Sequence, residues 1–471
     1  MSLLFVSMSD LHLGEELSLL TNLKLGEPIP EPRAPGPCMN ALINLLHTCK
    51  SKMNGGKKVP YLILNGDILE LAISPYPLTV TYFRLFLAQV AARELFDQVV
   101  LITGNHDHAL WSLIRDTHFI EAIDKNSETK RIPELEHTTM LSRAKTSAVM
   151  KQLTASLNET VAPLPVLVAN PAYRLNSCQG HDFIFHHGHF MEDLYKVLTM
   201  LKDRITSEIT WSELKKQPLR DSIEEIEKEN WTWIDFIWSG LCRSGRVGET
   251  TEDIYKMLKT PEGMHTFKNR IIKILTEEFN IPLAPEFIER IIFRWLLKYA
   301  LEQAGMGSEQ RKDPGRTPFN REVRDMLARF VCHYIKKELE DEGYWPAENK
   351  TSFLFGHTHK PFLDEWQDSE SGFGTLTVAN SGGWVVDALE DEKYKGAGII
   401  LGSNNSDLAV VKYSISENSK SEVLKKGDWD RTLDLMPERK ELESVISAAV
   451  KARRKHFKAR TDTTKKILNN L

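Results

Sequence analysis

Five short apolar runs in this chain each stop at a cluster of carboxylate, imidazole or carboxamide residues, and no other feature constrains the fold as tightly. Leu3 to Met8 ends in Asp10-Leu11-His12, and Tyr61 to Leu64 ends in Asn65-Gly66-Asp67 and runs on to Glu70. Val99 to Thr103 ends in Gly104-Asn105-His106-Asp107, Phe183 to Phe185 in His186-His187-Gly188-His189, and Phe353 to Phe355 in Gly356-His357-Thr358-His359. Apolar runs this short, bounded by glycine and polar residues, read as buried strands. Strand residues two apart point the same way, so His357 and His359 can reach one pocket, and neutral imidazole is the commonest metal ligand. One His-x-His pair says little by itself. Five polar strand ends together describe the crevice outside the carboxyl ends of an open α/β sheet, where ligands bind.

The segments between the first three runs, Met39 to Lys50 and Thr79 to Phe96, have helical character and predict a β-α-β-α-β start with right-handed crossovers. Later runs at Gly374 to Ala379, Ala397 to Leu401 and Leu408 to Tyr413 are separated by turn-rich stretches too short for helical crossovers, which predicts antiparallel pairing. The fold class expected is α/β, with two packed mixed β-sheets flanked by helices. At 471 residues the chain exceeds what one simple core organises, so a large insertion or a second domain is expected. With 41% hydrophobic and 27% charged residues the composition is globular, and a net charge of −5 gives no indication of a nucleic-acid partner. The five cysteines, at 38, 49, 178, 242 and 332, never form Cys-x-x-Cys, which argues against a disulfide framework and a zinc knuckle. No run approaches the roughly 18 apolar residues of a membrane span, and the N-terminal run lacks a signal peptide's basic flank. A cytoplasmic protein is expected.

The ordered set Asp10-x-His12, Gly66-Asp67, Gly104-Asn105-His106-Asp107, His187 and Gly356-His357-x-His359 resembles the calcineurin-like metallophosphoesterase superfamily. The resemblance covers residues 1–110, 181–190 and 351–415. It implies one metal held by Asp10, His12, Asp67 and His359, and a second held by Asp67, Asn105, His187 and His357, with Asp67 shared. Such mixed N/O donors without thiolate suit Mn²⁺, Fe or Zn²⁺, with Mn²⁺ favoured. The resemblance further implies hydrolysis of a phosphate monoester or diester by metal-activated hydroxide. His106 is then the general acid, Asp107 a group that orients or charge-balances it, and Glu70 either a supporting residue or simply an acid in the first turn of a helix. Two other enzyme readings fit the same motifs: a nuclease of the double-strand-break-repair type and a nucleotide-sugar pyrophosphohydrolase. The latter typically has Arg where His106 stands. A non-catalytic scaffold fits poorly, because such relatives lose ligands and no ligand position is vacant here.

The chain departs from the plain family pattern in several places. Gly26 to Pro37 carries five prolines and reads as a rim loop. Residues 110–164 read as helices, with Trp111 in the core. Residues 191–350 read as a large all-helical insertion, separating the core segments 1–190 and 351–415. Its helices are expected from a capping box at Ser222 to Glu225 running through Trp238, from Pro285 to Gly305, and from Thr317 to Gly343. The insertion holds six of the ten tryptophans, at 211, 231, 233, 238, 295 and 345. Tethered at both ends by candidate ligands, it reads as a cap over the site or as a stabilising subdomain. Residues 416–471 read as a polar segment with a basic helical tail that is solvated. Asn380-Ser381-Gly382-Gly383-Trp384 reads as a tight turn.

Overall fold

The computed structural model describes residues 2–24, 29–125, 133–155, 164–207, 209–214, 217–236, 238, 321–344, 350–368, 373–386, 391–429 and 431–469. The predicted helix beginning at Pro285, and Cys242, Trp295 and Trp345, lie outside them. The β-α-β-α-β start forms as β1 (Leu3–Met8), α1 (Pro37–Thr48), β2 (Val59–Asn65), α2 (Tyr76–Ala92) and β3 (Phe96–Ile102). After α3 (His108–Lys125) and α4 (Ala148–Thr154), β4 (Val166–Ala169) completes a parallel run β1-β2-β3-β4. The same sheet grows from the other edge of β1 by antiparallel addition of β10 (Gly396–Ser403), β11 (Leu408–Ser414) and β12 (Ser421–Lys426), making seven strands. The second sheet has five strands in the order β5 (Ala172–Asn176), β6 (Asp182–His186), β7 (Thr351–Phe355), β9 (Gly374–Asn380) and β8 (Phe362–Asp368). β6, β7 and β9 run parallel, and the two edges are antiparallel, so both sheets are mixed as expected.

Strand alternation explains how the two sheets meet. Phe5 of β1 turns inward and meets Phe183 and Phe185 of β6 edge-on, each at 5.0 Å between ring centroids. Around them Ile63, Val100, Leu354, Ala379 and Ile400 build one apolar layer between the sheets. The opposite face of the first sheet is covered by α1 to α3 and by the C-terminal helix α10 (Pro437–Asn469). The opposite face of the second, with Ile184, Phe353, Phe355 and Val378, is covered by helices from the segment after β6.

The described part of residues 191–350 contains helices and no strand: α5 (Val197–Thr206), α6 (Trp211–Leu214), α7 (Ile223–Asp235), α8 (Arg321–Phe330) and α9 (Lys336–Asp341). α8 and α9 are joined by a π-helical turn, and Gly343 follows in the left-handed region (φ +79°). Along α8 and the π-helical turn Leu327, Phe330, Val331, Tyr334 and Ile335 are buried against the second sheet, while Met326 is half-buried. Ser222 caps α7 by accepting from the Glu225 N–H at 3.2 Å. The return bond of the box goes one residue earlier, from the Asp221 N–H to Glu225 at 3.1 Å.

The basic tail is not solvated throughout, because Arg453 and Arg454 are buried. β12 forms a sheet edge, and α10 packs along α1 through Leu442, Ile446 and Val450. Arg453 is buried and donates to the carbonyls of Ser18 and Thr21, so it holds the loop that follows His12. Among the described residues no helix is long and apolar enough to cross a membrane, and Cys38, Cys49, Cys178 and Cys332 are unbridged.

Candidate metal centre

The strand ends converge with a backbone cost that marks the site. Among described residues, seven non-glycine residues have positive φ, and five of them are Asp10, His12, Asp67, His357 and His359. Each such conformation costs on the order of 1–3 kcal/mol and persists only where its surroundings over-determine it. Here they do. The Asp10 N–H donates to Gly66 O at 2.9 Å, the His12 N–H to Asp67 O at 3.0 Å, and the Gly356 N–H to His187 O at 2.9 Å. The His357 N–H donates to the Asp10 carboxylate at 2.9 Å, and the His106 N–H to Asp67 Oδ1 at 2.8 Å. Two glycines let these groups close up. A Cβ on Gly104 would stand 2.2 Å from Asp67 Oδ1, and one on Gly356 2.4 Å from Asp10 Oδ2. The tight turn at Asn380 backs the site: the Trp384 N–H donates to Asp10 O, and Asn380 holds Gly356 O.

Among the described residues the side chains form four overlapping groups whose donor atoms lie within 4.8 Å of one another: Asp10, His12 and His359; His12, Asp67 and His106; Asp67, His187 and His357; and a fourth, His12, Glu15 and Glu70, that shares His12. All are buried. His359 Nε2 stands 3.2 Å from Asp10 Oδ1, and Asp67 Oδ2 lies between His187 Nε2 at 3.1 Å and His12 Nε2 at 3.9 Å. Asn105 sits between two residues whose backbones touch Asp67, and both atoms of its buried amide lack a hydrogen-bond partner. His12 Nε2 is likewise buried without a hydrogen bond. Buried polar atoms are normally satisfied, and a divalent ion would supply the missing partner of Asn105 Oδ1 and of His12 Nε2.

The ring nitrogens turned away from the clusters are held. Glu70, fully buried, takes His12 Nδ1 at 2.6 Å and His106 Nδ1 at 2.9 Å, while the N–H groups of Ala72 and Ile73 donate to its Oε1. His187 Nδ1 meets Asn65 O at 3.1 Å. Asp107, the expected partner of His106, turns elsewhere: its oxygens accept from the N–H groups of Gly104 and Ile68, latching the third turn to the second. Glu70 is the carboxylate that faces His106. His186 packs on Phe330 and Phe353 and accepts from the Gly188 N–H, away from the donor groups, and His189 lies buried beside His187.

Electrostatics follow from burial opposed by pairing. Burial alone raises a carboxyl, yet His187 and His106 hold Asp67 well below its usual range, and His106 and His12 hold Glu70 down to about 2. Burial works against a charged imidazole, but Glu70 lifts His12 to about 10 and Asp67 lifts His187 to about 9. Asp107 is pushed up to about 6 by burial and by Asp67, against the N–H groups of Gly104 and Ile68 and the more distant His187, which lower it.

Glu192 is a contact that no motif announces. It lies in the irregular turn after β6, five residues beyond His187, and its Oε1 stands 3.2 Å from His357 Nε2.

A family model for calcineurin-like phosphoesterases matches residues 3–240, half of the chain. The chain belongs to the calcineurin-like phosphoesterase family. The matched residues of this phosphoesterase run through β1 to β6 and α7 and stop short of β7, whose turn brings His357 and His359 back to the same groups. No curated protein matches the chain. The family is one of phosphoester hydrolases, and the buried His/Asp groups fit a divalent-metal site.

Proposed function

We propose that the chain hydrolyses a phosphate monoester or diester with two divalent ions. Asp10, His12, Asp67 and His359 would hold one ion, and Asp67, Asn105, His187 and His357 the other. The observation that carries this reading is the left-handed backbone at five of these seven residues, strain that packing alone has no use for. The donor set of carboxylates, imidazoles and a carboxamide suits Mn²⁺, Fe or Zn²⁺. When bound, such a pair supplies Lewis acidity toward phosphoryl oxygens and a nucleophile at neutral pH.

The remaining work falls to side chains of this protein. With Nδ1 engaged by Glu70, His106 can carry its mobile proton on Nε2 and give it to a leaving oxygen. Glu70 stays ionised and stabilises the imidazolium, so it takes the orienting role that sequence gave to Asp107. The described helical part of residues 191–350 is then read as a cap that selects the substrate, a reading supported by the approach of Glu192 to His357. Metal-stripped protein incubated with mono- and bis-nitrophenyl phosphate, with and without Mn²⁺, tests the reading. Metal-dependent turnover is expected, and chelator-resistant turnover by protein free of bound metal would overturn it.

A further inference from the structure

The helical segment does more than cover the second sheet, because it places a carboxylate on one of the rings that line the metal groups. We infer that Glu192 is a positioning residue for His357, fixing which nitrogen that ring presents; this rests on the two-ion reading above. Glu192 Oε1 lies 3.2 Å from His357 Nε2, with the His357 ring buried and Glu192 20% exposed at the lip of the site. The Glu192 backbone is itself pinned: its N–H donates to His189 O at 2.9 Å, and its carbonyl accepts from the Tyr195 N–H at 3.3 Å. Tyr195 meets the His357 ring edge-on at 5.6 Å and stacks in turn on Trp238 at 4.5 Å. Glu192 therefore faces one nitrogen of the His357 ring at ion-pair distance, without a formed hydrogen bond, and an aromatic pair lies on the ring's flank.

Two other rings of the site have an acceptor on one nitrogen, in both cases as a formed hydrogen bond. Glu70 takes His12 Nδ1 and leaves Nε2 for the cluster, and Asn65 O takes His187 Nδ1 and leaves Nε2 near Asp67. Metal-binding histidines generally use the nitrogen opposite such an acceptor, which sets tautomer and ring orientation. Applied to His357, the rule runs with the nitrogens exchanged: Glu192, 3.2 Å from Nε2, would accept from Nε2–H once an ion is bound, and Nδ1 would be the atom offered to the group shared with Asp67 and His187. The acceptor here comes from the helical segment, so docking of that segment sets the affinity of the second ion.

The test is a Mn²⁺ titration of the full-length protein at fixed pH, by calorimetry and by electron paramagnetic resonance of free Mn²⁺, with a thermal melt of each variant to establish folding. Glu192→Ala is expected to weaken one of two Mn²⁺ sites by about 10–100-fold and leave the other unchanged. Glu192→Gln keeps an amide oxygen able to accept from Nε2–H and is expected to bind both ions nearly as the wild type does. Wild-type affinity at both sites in Glu192→Ala would overturn the inference. So would Glu192→Gln binding as weakly as Glu192→Ala, since the carboxylate would then be a direct donor to the ion. If Glu192→Ala fails to fold, Glu192→Asp decides: shortened by one methylene, it loses reach and is expected to weaken the same single site, and undiminished binding overturns the inference. A wild-type protein that binds fewer than two ions would remove the two-ion reading itself.

Discussion

The site has two halves that are held in different ways. Asp10, His12, Asp67, Asn105 and His106 come from the turns after β1, β2 and β3, all within one β-α-β-α-β stretch, and they hold one another through Gly66 O, Asp67 O, Asp107 and Glu70. His187, His357 and His359 come from the second sheet, from turns far apart in sequence, and their surroundings include Glu192, Tyr195 and Trp238 of the helical segment. One half is a local latch of short bonds; the other depends on a distant segment docking correctly. Asp67 touches both halves, and His108 clasps the first to the helices. Its Nδ1 meets Asp235 and its Nε2 meets Glu227, both in α7 and both at 2.7 Å.

The largest expected effect comes from the residue common to both halves. Asp67→Asn removes one of the charges that His187 and His12 face, and it should abolish turnover while lowering metal content measured by mass spectrometry below that of single-half variants. If Asp67→Asn retains one ion at full occupancy and only the other is lost, Asp67 serves one half alone and the division drawn above is misplaced.

Within the first half, His106→Ala should keep its metal and lower turnover of poor-leaving-group substrates by about 10² or more. Nitrophenyl esters, which need less protonation, should lose less. Glu70→Gln should fall between His106→Ala and wild type, because the amide still accepts from Nδ1 without stabilising the imidazolium. Equal losses for phenyl and nitrophenyl phosphate would remove His106 as the proton donor.

Much of this was legible in the sequence, and the residues show why the remainder was not. The strands predicted from apolar runs are β1, β2, β3, β6, β7, β9, β10 and β11, all interior to their sheets. The strands not anticipated, β4, β5, β8 and β12, are the four sheet edges, although β4 is itself an apolar run, Val-Leu-Val-Ala. An edge strand faces water along one side and carries polar residues such as Asp364, Glu365, Glu422 and Lys425, so its pattern fades. The same logic applies to the site. Ligand-type residues announce themselves at strand ends, whereas Glu192 and Arg453 act through tertiary approach and have no local signature. Asp107 sits inside a motif and invited a catalytic role, but three backbone N–H groups claim its oxygens.

The clasp between the first half and α7 titrates. His108 is buried, which alone would lower it, but Glu227 and Asp235 raise it to about 10, with Arg115 of the same helix near Asp235. The folded value stands above the unfolded value of roughly 6.5, so this contribution is fully present below about 6.5 and is lost as pH rises through about 10. Wild-type thermal stability should therefore fall between pH 7 and pH 10, and Glu227→Gln, with one carboxylate fewer to hold the proton, should fall less over the same interval. Parallel loss in both proteins would mean that His108 is not charged in the fold and that hydrogen bonds alone join α3 to α7.

The smallest expected effect tests whether the helical segment docks as a separate cooperative unit. Ser222 caps α7, and its removal in Ser222→Ala should cost about 1 kcal/mol, since one amide of the first turn loses its acceptor. Ser222 touches neither half of the site, but α7 carries Glu227 and Asp235. If the second half depends on that docking and the first does not, hydrogen exchange should quicken across α7 and the turn bearing Glu192. The amides of β1, β2 and β3 should exchange at wild-type rates, because local opening need not involve the first sheet. Mn²⁺ affinity at the site assigned to Asp67, Asn105, His187 and His357 should drop by a few-fold at most, in step with the opened fraction. Uniform acceleration across both sheets would instead make α7 part of a single global unit, and the contrast between a local latch and a docked segment would no longer hold.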